Sequence, residues 1–358
     1  MTTMAEGDIP SVQRQEEEVM APPVIIHLSQ PQEVRGLYWT TVTAGGTRGD
    51  ELLTYMQTSG INTVVVDLKM DSGWLAFTPK DETLLPYTGD TSVIEDLDAK
   101  LMTWGQQGMY RIARIAVMRD GAFATVHPNL ALFMASGSLW QDAIGSLWVD
   151  PAAIEVAQYA ITLGREAYER GFDEIQFDYV RFPSDGTIES AHYPVYDGLQ
   201  DKNDVMRTFF ERVGGTLHAE GIPVSFDTFG MICWRTDGIG IGQRLIDLLP
   251  FTDFISPMVY PSHYPEGFEG YGNPALYPYE VVKSSLDACV AQAVEQGLGT
   301  AEELTGKFRP WLQDFDIGAV YTAEKIEAQI QAARDAKASG WMLWNARNVY
   351  EPAEYGTE

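Results

Sequence analysis

Cysteine, histidine and positive charge are scarce in this chain. Two cysteines, Cys233 and Cys289, permit one disulfide and exclude a disulfide framework. The five histidines, His27, His127, His192, His218 and His263, are scattered, and no HxH, HExxH or CxxC spacing occurs. The usual zinc and iron–sulfur arrangements therefore find no support, and neither a metal nor a cofactor is expected. Lysine and arginine number 24 against 51 aspartates and glutamates, a formal charge of −27. Such a balance repels nucleic acid and anionic membrane, so neither is an expected partner, and it suits a neutral substrate better than an anionic one. No apolar run reaches the ~18 residues that a membrane-spanning helix needs. No secretory leader is visible at the N-terminus, which leaves the compartment open. Gly45-Gly46 after the first apolar segment is not the GxGxxG turn of a dinucleotide-binding sheet.

What is present is globular. The 358 residues are 45% hydrophobic and 11% aromatic, enough apolar material for a substantial core. Residues 1–33 are polar, acidic and Pro-containing without a sustained period, and read as a flexible, disordered tail; VIIHLS (24–29) can pair as an edge strand. From Val34 a rhythm begins. Strands are expected at 36–40, 63–69, 109–118, 174–182, 223–230, 254–260, 308–315 and 341–346. Helices are expected at 48–60, 91–108, 150–171, 203–221, 241–250, 278–297 and 322–340. In the third helix Asp150 reads as the N-cap, Pro151 as the first helical position and Gly171 as the end. Eight strands alternating with seven helices indicate an α/β protein: a single closed (β/α)8 TIM barrel over 34–358, its last helix short or missing.

In such a barrel chemistry sits at the C-terminal ends of the strands. Alternation sorts each strand into two faces. Val65, Asp67 and Lys69 of the second strand fall inward, as do Arg114 and Ala116 of the third. So do Gln176 and Asp178 of the fourth, and Ser225 and Asp227 of the fifth. Ser256, Met258 and Tyr260 share the inner face of the sixth, Trp311 and Gln313 that of the seventh, Leu343 and Asn345 that of the eighth. Burying a carboxylate is costly unless it is paired or used. One buried aspartate is ordinarily structural, with Arg114 or Lys69 as its buried partner. Three aspartates and an arginine converging on one rim point to catalysis. Glycoside hydrolysis needs little beyond two carboxyls flanking the scissile bond, one of them with a raised pKa. The rim loops add Phe123, Phe133, Trp140 and Trp148 after the third strand. After the sixth they add His263, Tyr264, Phe268, Tyr271, Tyr277 and Tyr279, rings that suit the faces of sugars.

The segments VRGLYWT, NTVVVDLKMDSG, RIARIAVMRD, GFDEIQFDYVRFPSDG, ISPMVYPSHYPEGFEGYGNP and GWMLWNA carry a resemblance. From about Val34 to about Tyr350 the chain resembles the glycoside-hydrolase-like barrel family catalogued as domain of unknown function 4015. The resemblance implies a TIM barrel that hydrolyses polysaccharide. By analogy with α-amylase-like barrels, Asp178 at the end of the fourth strand is the expected nucleophile. Asp227 on the fifth is the expected general acid/base, an Asp where that group typically has Glu. Asp67, Lys69, Arg114 and Arg181 are expected to position the substrate or tune charge. Tyr260, His263, Trp311, Gln313 and Asn345 complete the expected substrate-binding set. Asp314 follows the seventh strand, but its alternation points away from the lumen. Polymer-degrading relatives of this kind are typically exported.

Three readings follow. The first is a glycosidase acting, with retention, on an α-linked neutral or amino-sugar polymer. The second is a non-catalytic glycan-binding barrel. The third is a metal-assisted hydrolase built on Asp67, Asp178, Asp227 and His263, which the absence of ligand spacing disfavours. Oligomeric state is not legible from this sequence.

Overall fold

The computed structural model describes residues 25–350. Eight parallel strands close on themselves in sequence order. They are β1 (Val34–Trp39), β2 (Thr63–Asp67), β3 (Tyr110–Ala116), β4 (Glu174–Asp178), β5 (Val224–Phe229), β6 (Phe254–Met258), β7 (Trp311–Gln313) and β8 (Gly340–Trp344). β8 pairs with β1 from Val34↔Gly340 to Leu37↔Leu343, which completes the barrel. The helices α1 (Thr41–Gly45) and α2 (Thr47–Thr58) follow β1, α3 (Leu97–Gln106) follows β2, and α4 (Gly121–Val126) and α5 (Ile154–Arg170) follow β3. After β4 comes α6 (Lys202–Ala219), after β5 α7 (Leu245–Leu248), after β6 α8 (Pro278–Glu295) and α9 (Ala301–Thr305), and after β7 α10 (Ala323–Asp335).

Two apolar populations hold this together. Leu37, Val64, Val66, Ile115, Ile175, Phe177, Val224 and Phe226 face the helices in one continuous core. Val34, Tyr38, Val65, Tyr110, Ile112, Tyr260, Trp311 and Met342 form a second cluster inside the barrel. The lumen is filled in layers. At its N-terminal end, Glu174 pairs with Arg309 and accepts from Ser225 Oγ at 2.6 Å and Tyr110 OH at 3.2 Å. Above it, Gln176 donates to Ser256 Oγ at 3.1 Å. Gly36 makes room for this layer: a Cβ there would stand 3.0 Å from Met342 Cγ.

Four expectations need correction. The tail does not extend to residue 33: residues 25–33 lie against the barrel, with no strand over 25–29, while 1–24 fall outside the described residues. Arg111 Nη2 donates to the Ile26 carbonyl and Asp173 accepts from Leu28 N, each bond sparing a group at the barrel floor from isolation. Second, α5 begins at Ile154, not after Asp150. The Asp150 carboxylate accepts from Ala152 N and also from Val195 N and Tyr196 N, so it anchors the loop after β4 instead of capping a helix. Gly171 ends that helix as expected, at φ 116°. Third, β8 faces the other way: Met342 and Trp344 face the lumen, Trp341 and Leu343 the helices. Fourth, β2 ends at Asp67, so the alternation does not reach Lys69.

Cys233, in the turn after β5, is bonded to Cys289 of α8, 56 residues away. Loop-closure entropy for that span gives about 4 kcal/mol of stabilisation. Cys289→Ser is expected to lower the urea unfolding free energy by that amount, and a strong reductant to do the same to the wild type. Unfolding curves that do not move in either experiment would remove the bond from the account.

Candidate active site

β2, β3, β4 and β5 bring Asp67, Arg114, Asp178 and Asp227 to one point inside the barrel mouth. All three nitrogens of the Arg114 guanidinium are engaged. Nη1 donates to Asp67 Oδ1 at 2.5 Å, Nη2 to Asp178 Oδ2, and Nε to Asp227 Oδ2 at 3.3 Å. One fixed cation thus faces three carboxyls, a charge mismatch that favours binding of protons by the group. Asp227 is the member most affected. Burial first, then the negative charge of Asp178, holds its carboxyl well above the usual range, against Arg114 and the Trp311 indole. That indole donates to Asp227 Oδ1 at 2.7 Å. Burial also raises Asp67, against Arg114 and Tyr38.

Asp178 ends β4, and the residue after it is strained. Tyr179 has φ 53°, a left-handed conformation uncommon outside glycine. The turn lets Asp178 Oδ1 accept from its neighbour's N–H at 2.5 Å, while Arg119 donates to the Tyr179 hydroxyl at 2.8 Å. Gln243 ties the two strand ends together, donating to the Val180 and Asp227 carbonyls and accepting from Phe229 N. The expected nucleophile is therefore fixed on both oxygens, on a clamped backbone.

The other expected residues divide. Trp311 is in the site through Asp227. Tyr260 lies in the lumen, where burial and then the negative charge of Asp227 push its hydroxyl pKa up, and packs edge-on to His263 and Phe315. His263 is at the exposed rim and shares a hydrogen bond with Ser262 Oγ. A cavity of about 590 Å3 is lined by Tyr260, His263, Phe315, Asp316, Trp344 and Arg347 among others; it reaches the carboxyl cluster through Tyr260 and Trp344, and Asp67, Asp178 and Asp227 do not line it. Asn345 also lines it, but its amide holds the Asp314 carbonyl and its Oδ1 accepts from Arg347 N. Gln313 likewise braces loops, accepting from Ser262 N and donating to Phe315 O. Lys69 is not in the cluster: it is sealed behind it, paired with Asp120 and donating to Ala116 O at 2.7 Å. Arg181 sits in the loop after β4, between Trp148, Tyr179 and Phe229.

Two site residues were not expected. Tyr38 of β1 donates its hydroxyl to Asp67 Oδ2 at 2.5 Å and stacks on Trp344 at 3.9 Å. Trp344 in turn lies 4.8 Å from the Arg114 guanidinium. The alternation of β1 would have placed Tyr38 beside inward Val65, its register partner. Tyr38→Phe is expected to remove about 1.5–3 kcal/mol from stability, the value of a hydrogen bond to a charged group. Denaturant unfolding would show it, and an unchanged midpoint would mean the hydroxyl contributes nothing to Asp67.

The structure is a closed (β/α)8 barrel that gathers three carboxyls on one guanidinium. A family model described as "Putative glycosyl hydrolase domain" matches residues 36–350, and the chain belongs to that family of glycosyl hydrolases. Among solved structures it is similar to the PgaB (BpsB) glycoside hydrolase domain from Bordetella bronchiseptica, with a TM-score of 0.59 and 13% identity over 87% of this chain and 94% of that one. It is similar to α-L-fucosidase isoenzyme 2 from Paenibacillus thiaminolyticus, with a TM-score of 0.56 and 15% identity over 91% of this chain and 47% of that one. It is also similar to an α-galactosidase from Thermus thermophilus, with a TM-score of 0.52 and 12% identity over 92% of this chain and 60% of that one. At these identities the likeness is one of fold. No curated protein matches the chain.

Proposed function

We infer that this barrel cleaves an α-linked poly- or oligosaccharide with retention, Asp178 attacking the anomeric carbon and Asp227 serving as general acid and then base. The observation that carries this reading is the Arg114 trident, which gathers three carboxyls on one guanidinium, with the Asp227 carboxyl held well above its usual range by burial and the charge of Asp178. A buried carboxyl with a raised pKa beside a second carboxyl suits the role of general acid. Carboxyls bound to nitrogens of a single guanidinium stand close together, which supports the short separation of about 5–5.5 Å used by retaining enzymes. Placement at the end of strand four and within strand five supports the α-linked reading. Tyr260, Trp344 and the adjoining cavity supply the walls for a sugar.

In the first step the Asp178 carboxylate bonds to the anomeric carbon, and the Asp227 proton passes to the departing glycosidic oxygen. In the second, Asp227 takes a proton from water, which displaces Asp178 and regenerates both groups. Asp227→Asn is expected to lower kcat by about 10²–10⁴-fold and to erase the alkaline limb of the pH profile. A profile that keeps that limb would move the proton donor elsewhere. Proton NMR of the first product tests retention: the initial anomer should match the substrate's.

One observation favours a glycan-binding barrel instead. The Asp227 side chain is 1% exposed and both its oxygens accept hydrogen bonds, which suits holding better than proton delivery.

A further inference from the structure

The loop leaving β4 carries a guanidinium whose best binding edge is empty. Arg181 is 5% exposed. The rings of Phe229, Trp148 and Tyr179 enclose it at 4.7, 5.0 and 5.4 Å. Its Nη1 donates to the Phe182 carbonyl and to Ser184 Oγ, both at 3.1 Å. Among the described residues Nε and Nη2 donate to nothing, and Arg181 forms no ion pair; neither nitrogen is sealed from solvent.

Elsewhere in this chain the same Nε/Nη2 edge is filled by a carboxylate. Arg111 grips Asp173 with Nε at 2.8 Å and Nη2 at 2.6 Å. Arg165 grips Glu220 with Nε at 2.7 Å and Nη2 at 2.5 Å. Two parallel N–H bonds match the two oxygens of a carboxylate, a fit that a lysine cannot reproduce. A buried guanidinium normally has such an acceptor, because burial strips its hydration. The three rings hold the open edge in one orientation, so a ligand arriving there meets a preorganised partner. The guanidinium lies 5.4 Å from the ring of Tyr179, the residue whose N–H donates to Asp178 Oδ1, so it stands one residue from the expected nucleophile.

We propose that Arg181 receives a carboxylate carried by the glycan, so that the substrate contains a uronic acid residue bound next to the Asp178 subsite. The proposal rests on the glycosidase reading. It also revises the expectation of a neutral substrate drawn from the charge of −27. That charge acts at long range and is screened beyond about 8–10 Å, whereas the Arg181 edge acts at contact.

The test uses the full chain and paired polymers. Polygalacturonate, alginate and hyaluronan are each compared with the same polymer after reduction of its carboxyls to hydroxymethyl groups. Reducing-end release gives kcat and KM for wild type, Arg181→Met and Arg181→Lys. The expected result is cleavage of at least one acidic polymer. Carboxyl reduction should raise its KM about ten-fold or more, the factor for losing a charge-assisted pair. Arg181→Met should impose the same rise on the acidic polymer and none on its reduced form, because the two changes remove one interaction. Arg181→Lys, which keeps the charge and the fold, should recover only part of the loss. Equal KM for acidic and reduced polymers would overturn the proposal. So would a fall in kcat alone on every polymer, which would make Arg181 a tuner of Asp178. Cleavage confined to neutral glycans would sink this proposal and leave the glycosidase reading standing; no cleavage or binding of any glycan would sink both.

Discussion

Replacing Arg114 with methionine is expected to abolish glycan cleavage and to lower stability by about 3–5 kcal/mol, the cost of removing one partner from a buried ionic group. Three carboxyls lose their shared cation at once, since each guanidinium nitrogen serves one of them. Their mutual repulsion is then unrelieved, and Asp178 loses the partner that fixes its attacking oxygen. The sign of the pH dependence follows from Asp67 and Asp227, both raised even in the wild type. A group raised on folding binds its proton more tightly in the native state. Its contribution is complete below the ordinary aspartate value of 3.8 and is lost as pH rises through the raised folded value. Without Arg114 that loss deepens, so the variant should suffer more near pH 8 than near pH 5. Unfolding free energies at the two pH values, with activity beside them, check it. A variant as stable as wild type at alkaline pH would show that Arg114 is not what holds the carboxyls together.

Asp178→Asn is expected to lower kcat by about 10³-fold or more, because an amide cannot form the glycosyl–enzyme bond. The fold should survive at a cost of about 1–3 kcal/mol. The carboxylate accepts from Tyr179 N on one oxygen and from Arg114 on the other, and an asparagine can satisfy only one of them. The substitution also removes the negative charge that helps to raise Asp227, so any residual activity should show its alkaline limb at lower pH. A loss below about ten-fold would take the nucleophile's role away from Asp178.

How much of this was legible depended on contrast within each strand. In β4 the run EIQFD alternates charged or polar with apolar residues, and the structure places Ile175 and Phe177 against the helices and Gln176 and Asp178 in the lumen. β8 offers no such contrast. GWMLW is apolar on both faces, and the polar Asn345 beyond its end suggested the wrong parity, which hid Trp344. Lys69 failed for a related reason: it follows the end of its strand, where alternation has no meaning, and Asp120 claimed it from another loop. The convergence of Asp67, Arg114, Asp178 and Asp227 was legible because a barrel sends every inward residue near a strand's end to the same place. That one arginine would touch all three aspartates was not, because side-chain reach across the lumen is set by tertiary placement. Residues 25–33 read as tail because their bonds, such as those of Leu28 N and the Ile26 carbonyl, go to partners far away in sequence.

The account turns on whether the trident site breaks glycosidic bonds or only holds sugars. The most direct measurement is reducing-end release from a panel of α- and β-linked, acidic and neutral polysaccharides, with wild type and Asp178→Asn side by side and glycan binding measured on both. The account predicts that wild type releases reducing ends from an α-linked polymer while Asp178→Asn binds that polymer and releases essentially none. Binding by both proteins with release by neither would contradict it, and would make the barrel a glycan receptor.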